Sequence, residues 1–279
     1  MELLRTVAEL RQWSREQRSG GNPVGLVPTM GALHAGHASL IRAAAAHWRV
    51  AVSIFVNPTQ FGPNEDYARY PRTFEADCAL AQAEGADAVF APTVEELYPV
   101  GAATFVEVEG LSNRLDGASR PGHFRGVATV VAKLLIAAEP DRAFFGQKDA
   151  AQVAVVRRMV ADLRLPAEIV VCPIVREPDG LALSSRNLFL SAAERVQALV
   201  LSRAIRQAEA LAAAGERRSS ALIAAARQTF AAVPEVRIDY IAAVDWATLD
   251  PVEIAAPGTL FAVAARVGHT RLIDNTILN

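Results

Sequence analysis

Two histidines three residues apart, His34 and His37, have the type and spacing to stabilise negative charge on a phosphate. They belong to the segment PTMGALHAGH (residues 28–37), which follows a short apolar run and precedes an alanine-rich stretch. That pattern predicts a junction between a buried strand and a helix. Ligands bind at this edge of an α/β sheet, and the free amides of a first helical turn attract anions. Both imidazoles could therefore donate hydrogen bonds to phosphoryl oxygens as their charge grows.

A zinc site is the alternative role for the two histidines. No Cys or His of suitable spacing offers a third ligand, so this alternative is the weaker one. The cysteines, Cys78 and Cys172, lie far apart and without the paired spacing of a zinc motif. They are expected to be buried, reduced thiols of a cytoplasmic protein.

Neutral amides follow the second predicted strand. Asn57 and Gln60, in SIFVNPTQF, would lie at the same sheet edge, where they suit a pocket for a small polar ligand. A turn with a solvent-facing glutamine is nearly as good an interpretation. The role of the stretch RPGHFRG at 120–126 is also undecided, because it could border the pocket or form a loop and the start of a helix.

Positive charge is available in two later segments. GQKD at 146–149 follows another predicted strand, and Lys148 could meet a polyphosphate there, although the glycine spacing of a Walker A loop is absent. Gln152, one helical turn further on, faces the same side. DGLALSSRN at 179–187 offers two hydroxyls and a guanidinium for phosphate oxygens. Taken alone, that last segment is better explained by a polar turn between domains.

These segments need elements that bring them to one edge. In the first two-thirds of the chain, short apolar strands alternate with helices, a pattern typical of a parallel sheet covered on both faces. Leu3, Val7 and Leu10 share a helical face and predict an N-terminal helix. The predicted strands after this helix are 24–27, 49–56, 88–91, 143–145 and 169–172. The helices predicted between these strands are 36–48, 73–85, 126–138 and 150–163.

The pattern changes after Pro173. Ser191 and Glu194 fit a capping box that opens a long helix ending near Gly215. A second alanine-rich helix (219–232) precedes two strand-like runs (236–244 and 260–267), and a tight turn at Gly268 and His269 then leads into residues 271–273.

The predicted fold class is α/β, a Rossmann-like doubly wound parallel sheet (residues 1–175) with a smaller C-terminal α+β domain (176–279) that acts as a lid. The 279 residues, 52% hydrophobic and 21% charged, are ordinary for a globular protein with a substantial core. A formal net charge of −2 gives no general attraction to nucleic acid or to an anionic membrane. No apolar run reaches the roughly 18 residues that a membrane span needs.

Taken together, these segments resemble the pantothenate synthetases, or pantoate–β-alanine ligases, a family of the HxGH nucleotidyltransferase group. The resemblance covers nearly the whole chain and is carried, in order, by PTMGALHAGH, SIFVNPTQF, ARYPRT, RPGHFRGV, FFGQKD, DGLALSSRN and RLIDN. HxGH alone is only moderately specific, because adenylyl- and cytidylyltransferases and class I tRNA synthetases carry related forms. The full series is highly specific.

The resemblance implies a reaction in two halves. The carboxylate of pantoate attacks the α-phosphorus of ATP, giving pantoyl adenylate and pyrophosphate, and the amine of β-alanine then displaces AMP. It further implies ATP as a substrate, Mg²⁺ on the ATP phosphates, a homodimer, and no nucleic-acid or membrane partner. Ligands of the metal from the protein stay unassigned.

The same resemblance assigns roles to individual residues. The catalytic group comprises His34, His37, Lys148 and Arg186, with His37 as the proton donor. Gln60 and Gln152 contact pantoate, and Gln60 also serves β-alanine; neutral amides can orient a carboxylate without suppressing its attack. The ATP-binding residues are Met30, Gly31, Ala32, Leu33, His34, Ala35, Gly36, His37, Gly146, Gln147, Lys148, Asp149, Val175, Leu183, Ser184, Ser185 and Arg186.

Three positions stand apart from these assignments. Many relatives have Glu at the position of Gln147 and Met at that of Thr59, and both differences are expected to alter loop packing rather than chemistry. Asp77 lies where relatives place acidic residues after the YPRT segment, without an assigned role.

Two other functions remain open on the sequence. One is a different HxGH nucleotidylyltransferase, which would move AMP or CMP onto a phosphate acceptor and should carry more Arg or Lys in its acceptor pocket. The other is a nucleotide-binding sensor without turnover.

Overall fold

A six-stranded parallel sheet forms the larger part of the molecule. The computed structural model describes residues 1–63, 65 and 67–279. In this part of the chain the sheet order is β1-β4-β3-β2-β5-β6, and every pairing is parallel. The strands are β1 (Glu2–Leu4), β2 (Val24–Thr29), β3 (Arg49–Ile54), β4 (Ala88–Phe90), β5 (Arg142–Gly146) and β6 (Glu168–Cys172).

Helices cover both faces of this sheet. Along β3, Val50 and Val52 pack with helices on one face, whereas Ala51 between them belongs to the core on the other face. The first face carries α2 (Ala35–Ala45) and α3 (Phe74–Ala83), and the second carries α1 (Val7–Ser19), α6 (His123–Ala138) and α7 (Ala150–Asp162). Short helices α4 (Val94–Leu97) and α5 (Asp116–Ser119) lie in the connection between β4 and α6. The Rossmann-like, doubly wound prediction is confirmed.

A three-stranded antiparallel sheet follows, in the order β7-β8-β9. Helices α8 (Ala192–Ala213) and α9 (Ser219–Ala231) pack against it, and Ser191 and Glu194 form the predicted capping box. The strands are β7 (Val236–Asp245), β8 (Thr259–Val267) and β9 (Thr270–Ile277), and Gly268 has a positive φ of 55° in the turn between β8 and β9.

The two sheets share part of their core. Val244, Leu260 and Ala262 of the antiparallel sheet belong to the same buried cluster as α6, α7 and the parallel sheet. Trp246 also donates an indole hydrogen bond to the Ala150 carbonyl at the start of α7, at 3.0 Å. The division into residues 1–175 and 176–279 stays a prediction.

The N-terminal prediction was wrong in one respect. Leu3 lies in β1, which pairs with β4, and not on the helical face with Val7 and Leu10. The helix begins at Val7 because Thr6 and Glu9 form a reciprocal capping box at that point. A three-residue edge strand carries too short a pattern to be distinguished from a helical turn. Within the described residues, no helix combines the length and apolar character that crossing a membrane requires.

Candidate active site

The topology places a crevice between the ends of β2 and β5. These strands are neighbours, but the chain continues from β2 toward one edge of the sheet and from β5 toward the other. The loops that follow them therefore diverge and leave room for a ligand beyond their carboxyl ends. A cleft lies there, and the predicted site residues that line it are Met30, His34, Gly36, His37, Gln60, Gly146, Lys148, Asp149, Gln152, Val175, Leu183, Ser184, Ser185 and Arg186.

Five residues predicted to bind ATP do not line this cleft. The amides of Ala32 and Leu33 bond to Asp77, and the Gln147 side chain donates to Asn275 Oδ1 at 3.3 Å. Gly31 and Ala35 likewise lie outside the lining. The segment around the histidines thus contributes Met30, His34, Gly36 and His37 to the cleft, whereas Gly31 and Ala32 are buried in the protein and Ala35 is exposed outside it.

The two histidines cap their own helix. His34 is the N-cap of α2, and its Nδ1 accepts from the Gly36 N–H at 3.1 Å. In return, His37 Nδ1 accepts from the His34 N–H at 3.3 Å, and the two ring centroids are 4.2 Å apart. A Cβ on Gly36 would lie 2.8 Å from the His34 ring, so this close arrangement requires glycine. The HxGH spacing therefore produces a fixed pair of imidazoles.

These hydrogen bonds determine which nitrogen carries the proton. A neutral ring whose Nδ1 accepts a hydrogen bond has its proton on Nε2. Burial lowers the pKa of His34 to about 4, helped by the nearby charge of Lys148. Burial also lowers the pKa of His37 to about 3, with a further contribution from His34. Both rings are thus neutral near pH 7 and can offer an Nε2–H donor, which favours hydrogen-bond donation over protonation of a leaving group by an imidazolium.

The ionisation of this pair should be visible by NMR. In the free protein, we expect ¹H–¹⁵N long-range spectra to show His34 and His37 as neutral Nε2–H tautomers from pH 8 down to about 5, since both pKa values lie below that range. The unfolded chain takes up these protons near pH 6.5, so the free energy of unfolding should decrease as pH falls below about 6.5. Variants His34→Gln and His37→Gln assign the signals. An imidazolium signal from either residue above pH 6 would contradict this expectation.

Asn57 fixes the amide of Gln60. The Asn57 Nδ2 donates to Gln60 Oε1 at 3.0 Å, while its Oδ1 accepts from the hydroxyls of Thr59 and Tyr98, both at 2.9 Å. With its oxygen occupied, Gln60 turns its Nε2 toward Met30, at 3.1 Å from the sulfur, and toward the cleft. Thr59, where a methionine was expected from the resemblance, thus takes part in this network. The sequence left the role of Asn57 open between a pocket amide and a turn residue, and in the structure Asn57 lines the cleft and supports Gln60.

The Lys148 segment is held by the last strand of the chain. Asn275 of β9 donates from its Nδ2 to the carbonyls of Gln147 and Lys148, at 3.0 and 2.9 Å. The Lys148 ammonium lies 3.4 Å from Asp149 Oδ1. Burial raises the pKa of Asp149, but the charge and hydrogen bond of Lys148 outweigh it and leave the pKa below its ordinary value. Gln147, in place of the expected glutamate, supplies the donor that Asn275 accepts.

The segment around Ser184 reaches the cleft as a braced loop. Leu183 N–H donates to the Val175 carbonyl at 2.9 Å, which closes the loop on itself. Arg176 forms two hydrogen bonds with the buried carboxylate of Asp274 in β9, at 2.7 and 2.9 Å. Ser184 Oγ accepts from the Arg186 N–H at 3.2 Å and caps a short 3₁₀ helix at Ser185–Phe189. This polar turn therefore belongs to the cleft.

The RPGHFRG stretch also borders the cleft. His123 Nδ1 lies 2.9 Å from the Gln60 carbonyl, so it is the protonated nitrogen, and its Nε2 accepts from Arg120 at 2.9 Å. Burial, reinforced by Arg120, lowers the pKa of His123 to about 4. The other edge of Arg120 pairs with Glu65 at 2.6 Å. The charges along this wall are thus paired with one another.

An apolar wall on α6 was not predicted. It faces Gln60 and consists of Val127, Val130, Val131 and Leu134. Gly126 brings α6 close, since a Cβ there would lie 2.3 Å from the Thr59 carbonyl oxygen. Pattern alone assigns these residues to the core, because a helix that lines a pocket has the same apolar periodicity as one that packs against a sheet.

The described residues contain no group of three or more His, Cys, Asp or Glu side chains arranged to hold a metal ion. The donor set of the cleft is instead imidazole, ammonium, hydroxyl and amide, which suits an anion bound next to a neutral polar pocket.

Comparisons with known proteins match this chain to one family over nearly its whole length. The sequence profile described as pantoate-beta-alanine ligase matches residues 2–277. A pantothenate synthetase from Acidobacterium capsulatum is 61% identical over 290 aligned residues, covering 100% of this chain and 97% of that protein. One from Moorella thermoacetica is 56% identical and covers 100% and 99%.

Two solved structures are also similar. The crystal structure of pantothenate synthetase from Thermus thermophilus matches with a TM-score of 0.92 at 50% identity, covering 99% of both chains. A pantoate-beta-alanine ligase from Francisella tularensis, complexed with beta-gamma ATP and beta-alanine, matches with a TM-score of 0.80 at 33% identity, covering 99% of this chain and 97% of that one.

Proposed function

The chain belongs to the pantoate–β-alanine ligase family, and we propose that the cleft between β2 and β5 is where it carries out the family's reaction. It is an ATP-dependent carbon–nitrogen ligase that condenses pantoate with β-alanine through pantoyl adenylate, releasing AMP and pyrophosphate. The roles of individual residues below are our proposal. The observation that carries it is the convergence, in one cleft, of the histidine pair, Lys148 and the Ser184–Arg186 segment, which are distant in sequence.

The first half of the reaction needs positive and hydrogen-bonding groups around ATP. A carboxylate oxygen of pantoate forms a bond to the α-phosphorus, and the bond from that phosphorus to pyrophosphate breaks. His34 and His37 donate Nε2–H bonds to phosphoryl oxygens, while Lys148 and Arg186 balance the charge of the leaving pyrophosphate. Such fixed donors act without reorganisation at the moment of reaction, which makes them effective.

Gln60 and Gln152 place pantoate for this attack. The Gln60 amide is already oriented by Asn57, with its Nε2 directed to the cleft. A neutral amide can hold the carboxylate in line without the strong stabilisation that a guanidinium would give to the unreacted anion. The wall formed by Val127, Val130, Val131 and Leu134 suits the two methyl groups of pantoate, because apolar carbon is favourably buried against it.

The second half of the reaction replaces an oxygen with a nitrogen at the same carbonyl. The amine of β-alanine forms the amide bond, the bond between the acyl carbon and AMP breaks, and the amine loses a proton. Gln60 is also assigned to β-alanine, which requires both small substrates to lie on the same side of the nucleotide.

An exchange experiment tests the first half separately. We expect incorporation of labelled pyrophosphate into ATP to require pantoate and not to require β-alanine, because pantoyl adenylate forms before the amine reacts. Exchange at the same rate without pantoate would reject the proposal. A stable nucleotide conjugate in place of AMP and an amide would identify a nucleotidylyltransferase with a phosphate acceptor, and ATP binding without pyrophosphate release would identify a sensor.

Mg²⁺, a homodimer and a cytoplasmic location are further parts of the proposal that rest on the family resemblance. Mg²⁺ usually binds through substrate phosphates with one or two carboxylates, which is compatible with a cleft whose described residues hold no metal cluster. Pyrophosphate exchange that persists in the presence of EDTA would contradict a requirement for Mg²⁺. Sedimentation of the protein as a monomer in a velocity experiment would contradict the proposed dimer. Fractionation of the cells that produce the protein would test the cytoplasmic location.

A further inference from the structure

Asp77 is a buried carboxylate for which the proposed reaction has no use. It lies in the first turn of α3 and is 2% exposed. Its Oδ2 accepts from the Ala32 N–H at 2.9 Å, and its Oδ1 accepts from the Leu33 N–H at 2.8 Å. The hydroxyl of Thr73, the N-cap residue of α3, makes no capping bond and donates to Asp77 Oδ1 at 3.0 Å instead.

The turn that Asp77 holds is strained. Gly31 and Ala32 both have positive φ, 80° and 50°, and this conformation is unfavourable for alanine. Consecutive amides in such a turn point to one side and form a binding site for an anion. The carboxylate of Asp77 fills that site from within the protein. A Cβ on Gly31 would lie 2.9 Å from Asp77 Oδ2, so the turn and the carboxylate fit each other closely.

The strained turn ends where the histidine pair begins. Leu33, bonded to Asp77, is directly followed by His34, the N-cap of α2. The other end of the turn is fixed to the sheet, because the Gly31 N–H donates to Thr29 Oγ1 at 3.1 Å in β2. The position of both imidazoles therefore depends on a conformation that the backbone would not adopt unaided.

We propose that Asp77 is a positioning residue for the histidine pair, acting as an internal anion that holds residues 31–33 in the turn that aims His34 and His37 at the nucleotide. This inference rests on the proposed function of the cleft. It also gives the carboxylate a role other than metal binding. Both of its oxygens accept hydrogen bonds, and no group of three potential metal ligands includes it among the described residues.

The substitution Asp77→Asn tests this role with almost no change in shape. An asparagine presents an N–H group to one of the two backbone amides, so the turn loses a bond and gains a donor facing a donor. We expect the KM for ATP to rise and pantoate-dependent pyrophosphate exchange to slow by about 10- to 100-fold, the scale of a small displacement of catalytic groups. Amide formation from supplied pantoyl adenylate should change less, because no pyrophosphate is bound in that step.

Glu75→Gln is the matched control. Glu75 is an exposed acid in the same first turn of α3, and its replacement should leave both half-reactions unchanged. A loss of stability alone would reduce the active fraction and lower both half-reactions equally, without a change in the KM for ATP. A folded Asp77→Asn variant with wild-type exchange kinetics would overturn the proposal.

Two measurements on the wild-type protein do not depend on the variant or on turnover. We expect slow hydrogen exchange for the amides of Ala32 and Leu33, and no selective broadening of the Asp77, Ala32 and Leu33 signals when MnCl₂ is added to the nucleotide-free protein. Rapid exchange of both amides, or strong broadening by Mn²⁺, would overturn the proposal even if Asp77→Asn does not fold. If the wild-type protein shows no pantoate-dependent exchange, the proposed function fails, while these measurements still decide whether Asp77 holds the turn.

Discussion

Replacing Lys148 with alanine is expected to slow pantoyl-adenylate formation by about 10²-fold or more, the scale seen when a preorganised charge-stabilising group is removed. The Lys148 ammonium lies 3.4 Å from Asp149 Oδ1 and is the main influence that keeps the pKa of Asp149 low against the effect of burial. Its removal therefore takes away a positive charge and leaves the Asp149 carboxylate in the cleft with only the weaker influence of Arg186 and His37 against its negative charge. That carboxylate repels the phosphates of ATP, so the loss should exceed that of a hydrogen bond alone.

The measurement is the rate of pyrophosphate release in a single turnover with saturating pantoate. Arg158→Ala is the matched control, because it removes a cation from the exposed face of α7, where Arg158 pairs with Asp162. The control should retain wild-type rates. Near-wild-type turnover in Lys148→Ala would show that the polyphosphate lies elsewhere.

The variant His37→Ala is expected to slow the same step by about 10²-fold or more, because it removes a fixed Nε2–H donor from the phosphate site. The effect should not be confined to His37. Its Nδ1 accepts the His34 N–H, so its loss also opens the N-terminus of α2 and frees the neighbouring ring. For this reason the double variant His34→Ala/His37→Ala should lose less activity than the product of the two single losses, as coupled neighbours do.

His47→Ala provides the control for this prediction. His47 lies exposed just beyond the end of α2, so its removal tests the substitution without touching the cleft. The rates of the wild type, the two single variants and the double variant, compared as a double-mutant cycle at saturating ATP, give the coupling. Strictly multiplicative losses would mean that the two rings act independently. Unchanged turnover in His37→Ala would show that the histidine pair takes no part in the reaction.

The parts of the fold that local pattern determines were predictable. Runs such as 24–27 and 169–172 are apolar on both faces and bounded by turn residues, which identifies strands of a parallel sheet. The capping box at Ser191 and Glu194 fixed the start of α8 because all of its atoms lie within one helical turn. The convergence of the polar motifs in one cleft followed from the same logic, since segments placed directly after parallel strands meet at one sheet edge.

What could not be predicted depends on contacts between distant parts of the chain. Asp77 looks like an ordinary acid in the first turn of a helix, and only the folded protein shows that it binds amides more than forty positions away in sequence. The pocket wall on α6 resembles core, and Asn275 resembles any polar residue on a short strand. Leu3 was placed on a helix because a three-residue strand at the sheet edge has too little pattern to be recognised.

The contact between Asn275 and the Lys148 segment bears on the order in which parts of the protein fold during synthesis. Synthesis proceeds from the N-terminus, so the six parallel strands, which end at Cys172, can assemble while the final strand is still being made. The carbonyls of Gln147 and Lys148 gain their partner only when residue 275 has emerged. A chain truncated before β9 would thus lack the donor that holds the carbonyls of Gln147 and Lys148, and the Lys148 side chain would be positioned loosely in the cleft.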